Sequence, residues 1–209
     1  YRSFFAVKRD GSLWAWGSNG DGRLGVGTVT NRLIPTQVGV GFKTVAVAGG
    51  FDGLGAGRYI YTLAVKVDGS LWAWGRNDFG QLGDGTRTNI AAPKQVGIGF
   101  KTVAASGKRT FALKSDGSLW KWGLTPTQIG TDFGAVAAGL ALKTDRSLWA
   151  LGLGDGTTTP KQIGTGFSAA APGRDHIVAL KSDGSLWTWG DNQYGQLGDG
   201  TTTGSLTPK

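Results

Sequence analysis

Three observations in this chain of 209 residues predict an all-β fold built from propeller blades. First, the phrase DGSLWAWG at Asp10 to Gly17 returns as DGSLWAWG at Asp68, DGSLWKWG at Asp116, DRSLWALG at Asp145 and DGSLWTWG at Asp183, and these five copies hold all nine tryptophans. Second, each full copy carries four short segments of strand character within about 40–50 residues, the spacing of a propeller blade, and no 3.6-residue period argues for a helical solenoid. Third, the composition is one of turns and strands: 38 glycines without a Gly-X-Y triplet, 14 acidic residues that are all Asp, and 39% hydrophobic residues, too many for a disordered chain.

The elements are complete in the second copy. LAVK at Leu63 to Lys66 alternates into a strand, as do Phe5 to Lys8, Phe111 to Lys114, Leu140 to Lys143 and Val178 to Lys181. Asp-Gly follows, the strongest short hairpin signal, because both residues tolerate positive φ. The Leu-Trp strand returns, so strand, turn and Trp strand form a hairpin. Arg146 replaces the turn glycine in the fourth copy, which requires another turn or a strain of about 1 kcal/mol. The loop NDFGQLGDGT at Asn77 to Thr86 comes next, then Pro-x-Gln, where Pro35, Pro93, Pro126, Pro160 and Pro208 are expected at the first residue of an edge strand. Gly-Phe-x-x-Val-Ala closes the unit, anchored by Phe42, Phe100, Phe133 and Phe167.

Length and uniform composition predict a single domain over 1–209, with approximate repeats 1–62, 63–110, 111–139, 140–176 and 177–209. The net charge of +8 is spread along the chain without a basic block, and five lysines (Lys8, Lys66, Lys114, Lys143, Lys181) share one repeated position. Without Cys there is no disulfide framework or thiol chemistry, and no apolar run approaches the length of a membrane span. The chain contains no Met and starts at Tyr1, so it is expected to be a processed product or part of something longer.

The phrase ALKSDGSLWTWGDNQYGQLGDGT at Ala179 to Thr201, repeated in phase along essentially the whole chain, resembles the repeat of the regulator of chromosome condensation family. The resemblance implies a propeller of about five blades of up to four antiparallel strands, either a small ring or part of the seven-bladed ring usual in that family. It implies little about function, because the fold serves an exchange factor on chromatin, a plant ultraviolet photoreceptor, a secreted inhibitor of β-lactamases and many exported bacterial proteins. The Gly-rich, nearly identical repeats look most like the last group, so a secreted or cell-surface bacterial protein is expected. The photoreceptor's Gly-Trp-Arg-His-Thr motif is missing. The family's second signature survives best as AAPGRDHIVALK at Ala170 to Lys181, and the third copy passes straight from Gly123 to LTPTQIG without its loop.

Repetition argues against chemistry in the tryptophans, since sites are usually unique. Trp14, Trp16, Trp72, Trp74, Trp120, Trp122, Trp149, Trp187 and Trp189 are expected as packing between blades, on the strand face opposite Leu13 and Ala15. Asp84, Asp155 and Asp199 in the Asp-Gly-Thr loops are expected to accept backbone N–H bonds; one Asp per blade does not assemble a Ca²⁺ site. His176 is the only histidine, which excludes two-His metal sites and leaves one possible triad, so no metal, cofactor or enzymatic activity is expected. Function is expected where the repeats diverge, at Phe51, Asp52, Arg58, Tyr59 and Tyr61 of an insertion and at Arg76, Asn77, Phe79, Asn192 and Tyr194 of the loops. The predicted role is non-enzymatic recognition of a protein partner, with a glycan as a further class. Polyanion or chromatin-type binding, including nucleic acid, is the alternative.

Overall fold

The computed structural model describes residues 3–51, 58–106, 109–137, 139–152, 159–173 and 175–209. Among them lie 18 β-strands and no helix, arranged as five antiparallel sheets. The chain divides into two compact units, Tyr1–Gly130 and Thr131–Lys209.

The first unit holds three sheets. β1 (Ser3–Val7), β2 (Leu13–Gly17) and β3 (Arg32–Gly39) form the first. β4 (Phe42–Phe51), β5 (Arg58–Lys66), β6 (Leu71–Gly75) and β7 (Ile90–Gly97) form the second. β8 (Phe100–Ser106), β9 (Arg109–Lys114), β10 (Leu119–Trp122) and β11 (Thr127–Gly130) form the third. In the second unit β12 (Phe133–Ala137), β13 (Leu140–Lys143), β14 (Leu148–Ala150) and β15 (Lys161–Gly164) precede β16 (Phe167–Pro172), β17 (His176–Lys181) and β18 (Leu186–Gly190). Each four-stranded sheet opens on a strand led by phenylalanine (Phe42, Phe100 or Phe133), one strand ahead of the repeating phrase. Beyond β18, Ser205 bridges Gly190 and Lys209 exchanges backbone bonds with Thr188.

The five expected hairpins form, with register Val7↔Leu13, Val65↔Leu71, Leu113↔Leu119, Leu142↔Leu148 and Leu180↔Leu186. Their turn is not a two-residue Asp-Gly turn. Lys8 accepts from Gly11 N–H at 3.0 Å and donates to Ser12 O at 2.9 Å, and only the glycine takes positive φ, at 78°. This is a turn closed by a left-handed residue, the form that suits a loop one residue longer. Arg146 adopts the same conformation at φ 67°, so the fourth copy keeps the turn and accepts the strain.

The repeated serine and aspartate acquire a reason here. Asp10 Oδ1 accepts from Ser12 N–H (2.9 Å) and Ser12 Oγ (2.7 Å), and Trp14 Nε1 donates to Ser12 Oγ (2.9 Å). Copies two to five repeat the relay through Ser70, Ser118, Ser147 and Ser185. The serine hydroxyl first and its N–H second hold all five carboxyls below the ordinary value of 3.8.

The prolines depart from expectation in the first two sheets. Pro126 and Pro160 immediately precede edge strands, but Pro35 and Pro93 lie inside β3 and β7, at register shifts where the ladder already lacks a bond.

Cores form between successive sheets of a unit. Leu13 packs with Phe42, Ala64 and Trp74; Leu71 lies in a cluster with Phe100, Val103, Ala112 and Trp122; in the second unit Leu148 joins Phe167, Ala179 and Trp189. Backbone bonds tie the same sheets together, Phe42 N–H to Gly11 O, Phe100 N–H to Gly69 O and Phe167 N–H to Arg146 O.

Candidate functional site

The loops after β2, β6 and β18 share one internal frame. In each, an asparagine with no exposed surface sits at the centre: Asn19, Asn77 and Asn192. Asn77 Oδ1 accepts from Leu82 N–H at 2.9 Å, and its amide donates to Thr86 O and Asp84 Oδ1. Asn19 and Asn192 do the same for Leu24 and Leu197. Gly-rich loops cannot supply strand-ladder partners for their own amides, and one buried side-chain amide replaces them. Asn77 and Asn192 are therefore the loops' hubs and lie beneath the surface. Their shared repeat position was the sequence signal of this role, although a polar residue in such a loop reads as exposed.

The Asp-Gly-Thr segments close the frame as expected. Asp84 Oδ1 accepts from Thr86 N–H at 3.0 Å and Asp199 Oδ1 from Thr201 N–H at 3.0 Å. Burial opposes the charge of Asp84, yet the Lys94 ammonium at 2.9 Å, the Thr86 N–H and hydroxyl and the Asn77 amide bring its pKa down to about 2. Lys209 first, then Thr201, hold Asp199 well below the ordinary carboxylate range. Asp155 lies outside the described residues.

The frame also receives the tryptophans, which divide into two classes. Trp74 is fully buried and donates Nε1 to Arg23 O in the first loop at 2.9 Å, while Trp122 donates to Leu82 O in the second loop at 2.9 Å. A Cβ on Gly25 would lie 2.7 Å from Trp74 Nε1, and one on Gly83 would lie 1.8 Å from Trp122 Nε1, so these glycines make the docking possible. Trp189 is also buried. Trp14, Trp72, Trp120, Trp149 and Trp187 are half-buried beneath the lysines, which stand 4.0 to 5.1 Å from the ring centroids. Trp16 is half-buried against Phe4.

The tip of this frame varies, and beneath it the first loop carries Arg23 where the others have Gln81 and Gln196, and Val26 where they have Asp84 and Asp199. Aligned on the asparagine, one tip position carries Asp21, Phe79 and Tyr194. Phe79 is 47% exposed and Tyr194 is 85% exposed, although their N–H groups are fixed by Gln81 Oε1 and Gln196 Oε1. Arg76 is ion-paired with Asp78 beside Phe79, and Asp191 accepts from Gln196 Nε2 at 2.8 Å. The glutamines that fasten these tips were not singled out by sequence reasoning. The arrangement presents an aromatic or charged group on a fixed backbone, which suits recognition at low ordering cost.

The remaining expected site residues separate from the tips. Tyr61 is fully buried, its hydroxyl accepting from Thr110 Oγ1 at 3.0 Å. Asp52 lies outside the described residues, as do the side chains of Phe51, Arg58 and Tyr59. His176 is half-buried, its carbonyl accepting from Gly173 N–H. Among the described residues no three His, Cys, Asp or Glu side chains gather as a metal site, and no helix is long and apolar enough to cross a membrane.

Comparison with known proteins follows from this geometry. Models of the regulator of chromosome condensation (RCC1) repeat match residues 10–52 and 68–113, and, in a second form, 54–81 and 168–196. The ultraviolet-B receptor UVR8 of Arabidopsis thaliana is 30% identical over 97% of this chain and 42% of its own length. The human E3 ubiquitin-protein ligase HERC2 is also 30% identical over 97% of this chain, which spans 4% of the ligase. Among solved structures, human WBSCR16 has a TM-score of 0.79 at 20% identity, covering 100% of this chain and 64% of that one. Prp20p of Saccharomyces cerevisiae, characterised for its binding to Gsp1p and histones, has a TM-score of 0.78 at 21% identity, covering 98% of this chain and 60% of that one. The expected fold of propeller blades is thereby shown, in a chain that spans less than two thirds of these relatives.

Proposed function

The chain belongs to the regulator of chromosome condensation repeat family, and from that premise we propose that it is a non-enzymatic binding domain that recognises a protein through the tips of its Asn-centred loops. One observation carries the reading. Three loops share a buried frame, yet at one tip position they present Asp21, an exposed Phe79 and an exposed Tyr194. Packing explains the frame but not the exposure of two aromatics, and exposed aromatics on rigid backbone are the residues that dominate protein interfaces. Prp20p, a protein of this fold, is itself described by its binding to Gsp1p and histones. The proposal extends to export to a bacterial surface or medium, which fractionation would test.

The immobilised chain and its Phe79→Ala/Tyr194→Ala variant, matched in unfolding midpoint, are compared in capture from extracts of the source organism. A protein held by the first and lost by the second supports the reading. Equal capture by both refutes it. A glycan partner would show the same loss at Tyr194 while being released by a glycosidase.

The net charge of +8 supports polyanion binding as a second reading. Against it, five of the lysines are already engaged over aromatic rings. Affinity for duplex DNA that falls steeply with salt would favour this reading over the first.

A further inference from the structure

The hairpin turns and the loop tips lie at opposite ends of the Trp strands: in β6 the turn precedes Leu71 and the Asn77 loop follows Gly75. In the first unit the turn end is joined into one surface by backbone bonds within and between its sheets. Phe42 N–H donates to Gly11 O, Val67 N–H to Gly41 O, Phe100 N–H to Gly69 O and Ser115 N–H to Gly99 O. The segments approach closely, so that a Cβ on Gly11 would lie 3.4 Å from Gly41 Cα and one on Gly69 would lie 3.6 Å from Gly99 Cα.

Two repeated positions project from this surface. The residue two before the leading phenylalanine is Val40 or Ile98 in the first unit and Thr131 or Thr165 in the second. The residue after the repeated lysine is Arg9, Val67 or Ser115 in the first unit and Thr144 or Ser182 in the second. The second unit therefore carries hydroxyls at all four places, whereas in the first Val40 is 60% exposed, Val67 75% and Ile98 68%. The three are neighbours: Val40 precedes Gly41, whose carbonyl accepts from Val67 N–H at 2.9 Å, and Ile98 precedes Gly99 beside Gly69. Val67 belongs to the middle sheet of its unit, packed on both sides, so its exposure comes from its place on the turn. A row of exposed apolar side chains where the repeat elsewhere keeps hydroxyls has no packing reason and marks an interaction surface. The charge of the same end is basic. Lys8, Arg9, Lys43, Lys66, Lys101 and Lys114 stand against Asp10, Asp68 and Asp116, and each of those carboxylates is turned to its own turn serine. Lys8, Lys66 and Lys114 lie over Trp14, Trp72 and Trp120, while Arg9, Lys43 and Lys101 are exposed.

We propose that the turn end of the first unit is a peripheral membrane surface that rests on an anionic lipid leaflet. Val40, Val67 and Ile98 enter the boundary of the acyl chains, and Arg9, Lys43 and Lys101 meet the anionic headgroups. The chemistry of the face selects lipid over protein. Lysine is depleted from the centres of protein interfaces, but a cluster of basic side chains is attracted to an anionic leaflet. The exposed apolar residues here are aliphatic and stand on turns, whereas the residues that dominate protein interfaces are aromatic or arginine. Basic groups ringing exposed apolar ones complement a surface that is anionic outside and apolar just beneath. This face shares no residue with the loop tips, and the proposal does not rest on the protein-binding reading.

Vesicle flotation tests it. The chain should bind vesicles of phosphatidylcholine with phosphatidylserine about tenfold or more tightly than vesicles of phosphatidylcholine alone. The variant Val40→Thr/Val67→Thr/Ile98→Thr gives the first unit the β-branched hydroxyl residue of the second; with an unchanged unfolding midpoint, its affinity for the mixed vesicles should fall about tenfold or more. Arg9→Gln/Lys43→Gln should lose a similar factor and flatten the salt dependence. Phe79→Ala/Tyr194→Ala should bind the vesicles unchanged, so this proposal and the loop-tip reading fail independently. No flotation at about 1 mM lipid would overturn the proposal. Equal binding by the threonine variant would also overturn it, since charge alone would then hold the vesicles. So would a protein captured by the chain and lost by the threonine variant without any vesicle binding, which would assign the face to a protein partner.

Discussion

Replacing Gly83 by alanine tests whether the loop of one sheet is the socket for the tryptophan of the next. Gly83 and Gly85 lie in the same loop and both hold positive φ, 68° and 79°. Alanine in that conformation costs about 1 kcal/mol at either place. Their surroundings differ: a Cβ on Gly85 meets nothing within 4 Å, whereas a Cβ on Gly83 would lie 1.8 Å from Trp122 Nε1 and 2.4 Å from Cδ1. No ordinary contact is that short, so the indole must leave. Its bond to Leu82 O at 2.9 Å then breaks with both partners buried, a cost of about 1–3 kcal/mol. Its edge-on contact with Phe100, at 5.3 Å between centroids, loses about 0.5–1.5 kcal/mol more. Gly83→Ala should therefore be about 2–4 kcal/mol less stable than Gly85→Ala, or about 5–15 °C lower in melting temperature for a chain of this size. Circular dichroism melts and urea titrations of the two variants measure the difference, and Trp122→Leu added to Gly83→Ala should cost less than it does alone. Midpoints equal within error would refute the socket.

Three further outcomes follow from single contacts. Arg146→Gly should raise stability by about 0.5–1 kcal/mol in urea unfolding, because its φ of 67° is strained for arginine and free for glycine. Gln81 Nε2 is buried without a partner among the described residues, whereas Gln196 Nε2 bonds to Asp191; the double variant Arg76→Asp/Asp78→Gln copies the fifth loop into the second and should gain about 1 kcal/mol, read as a higher urea midpoint. Asp84, at about 2 when folded, and the five turn aspartates all have carboxyls lowered below 3.8, so their contribution is complete above that value and is lost as pH falls through the folded values. The urea midpoint should hold level above about pH 5 and drop between about pH 4 and 2; a midpoint unchanged to pH 2 would contradict those bonds.

The repeating phrase made the hairpins legible because strand alternation and an Asp-Gly turn are local properties, complete within about ten residues. The same locality explains the errors of detail. Asp10 and Gly11 suggest a two-residue turn, but Lys8 N–H closes one residue later on the carbonyl of Ser12, whose hydroxyl joins Asp10 to Trp14. Pro35 and Pro93 read as strand starts, yet β3 and β7 begin earlier because residues 32–34 and 90–92 pair or extend before the shift. At the candidate site Phe79 and Tyr194 were recognisable as divergent aromatics, while Asn77, Asn192 and Tyr61 were not separable from them. A loop residue is buried only when the loop folds over it, and a strand tyrosine only when the next sheet covers it.

By itself, then, the sequence determined the strands, their pairing into hairpins and the blade repeat, since each follows from periodicity and from residues that tolerate one backbone conformation. Tertiary structure alone decided what each copy of an identical residue does. Trp14 and Trp16 differ by two positions and share a face, as do Trp72 and Trp74; Trp74 is buried and bonded because the loop of the preceding sheet offers Arg23 O above Gly25, whereas Trp16 remains half-exposed against Phe4. The same holds for Leu71, wholly covered by its neighbouring sheet, and Leu186, 64% exposed in the same register. Burial is a property of neighbours distant in the chain, and no local pattern encodes which neighbour arrives.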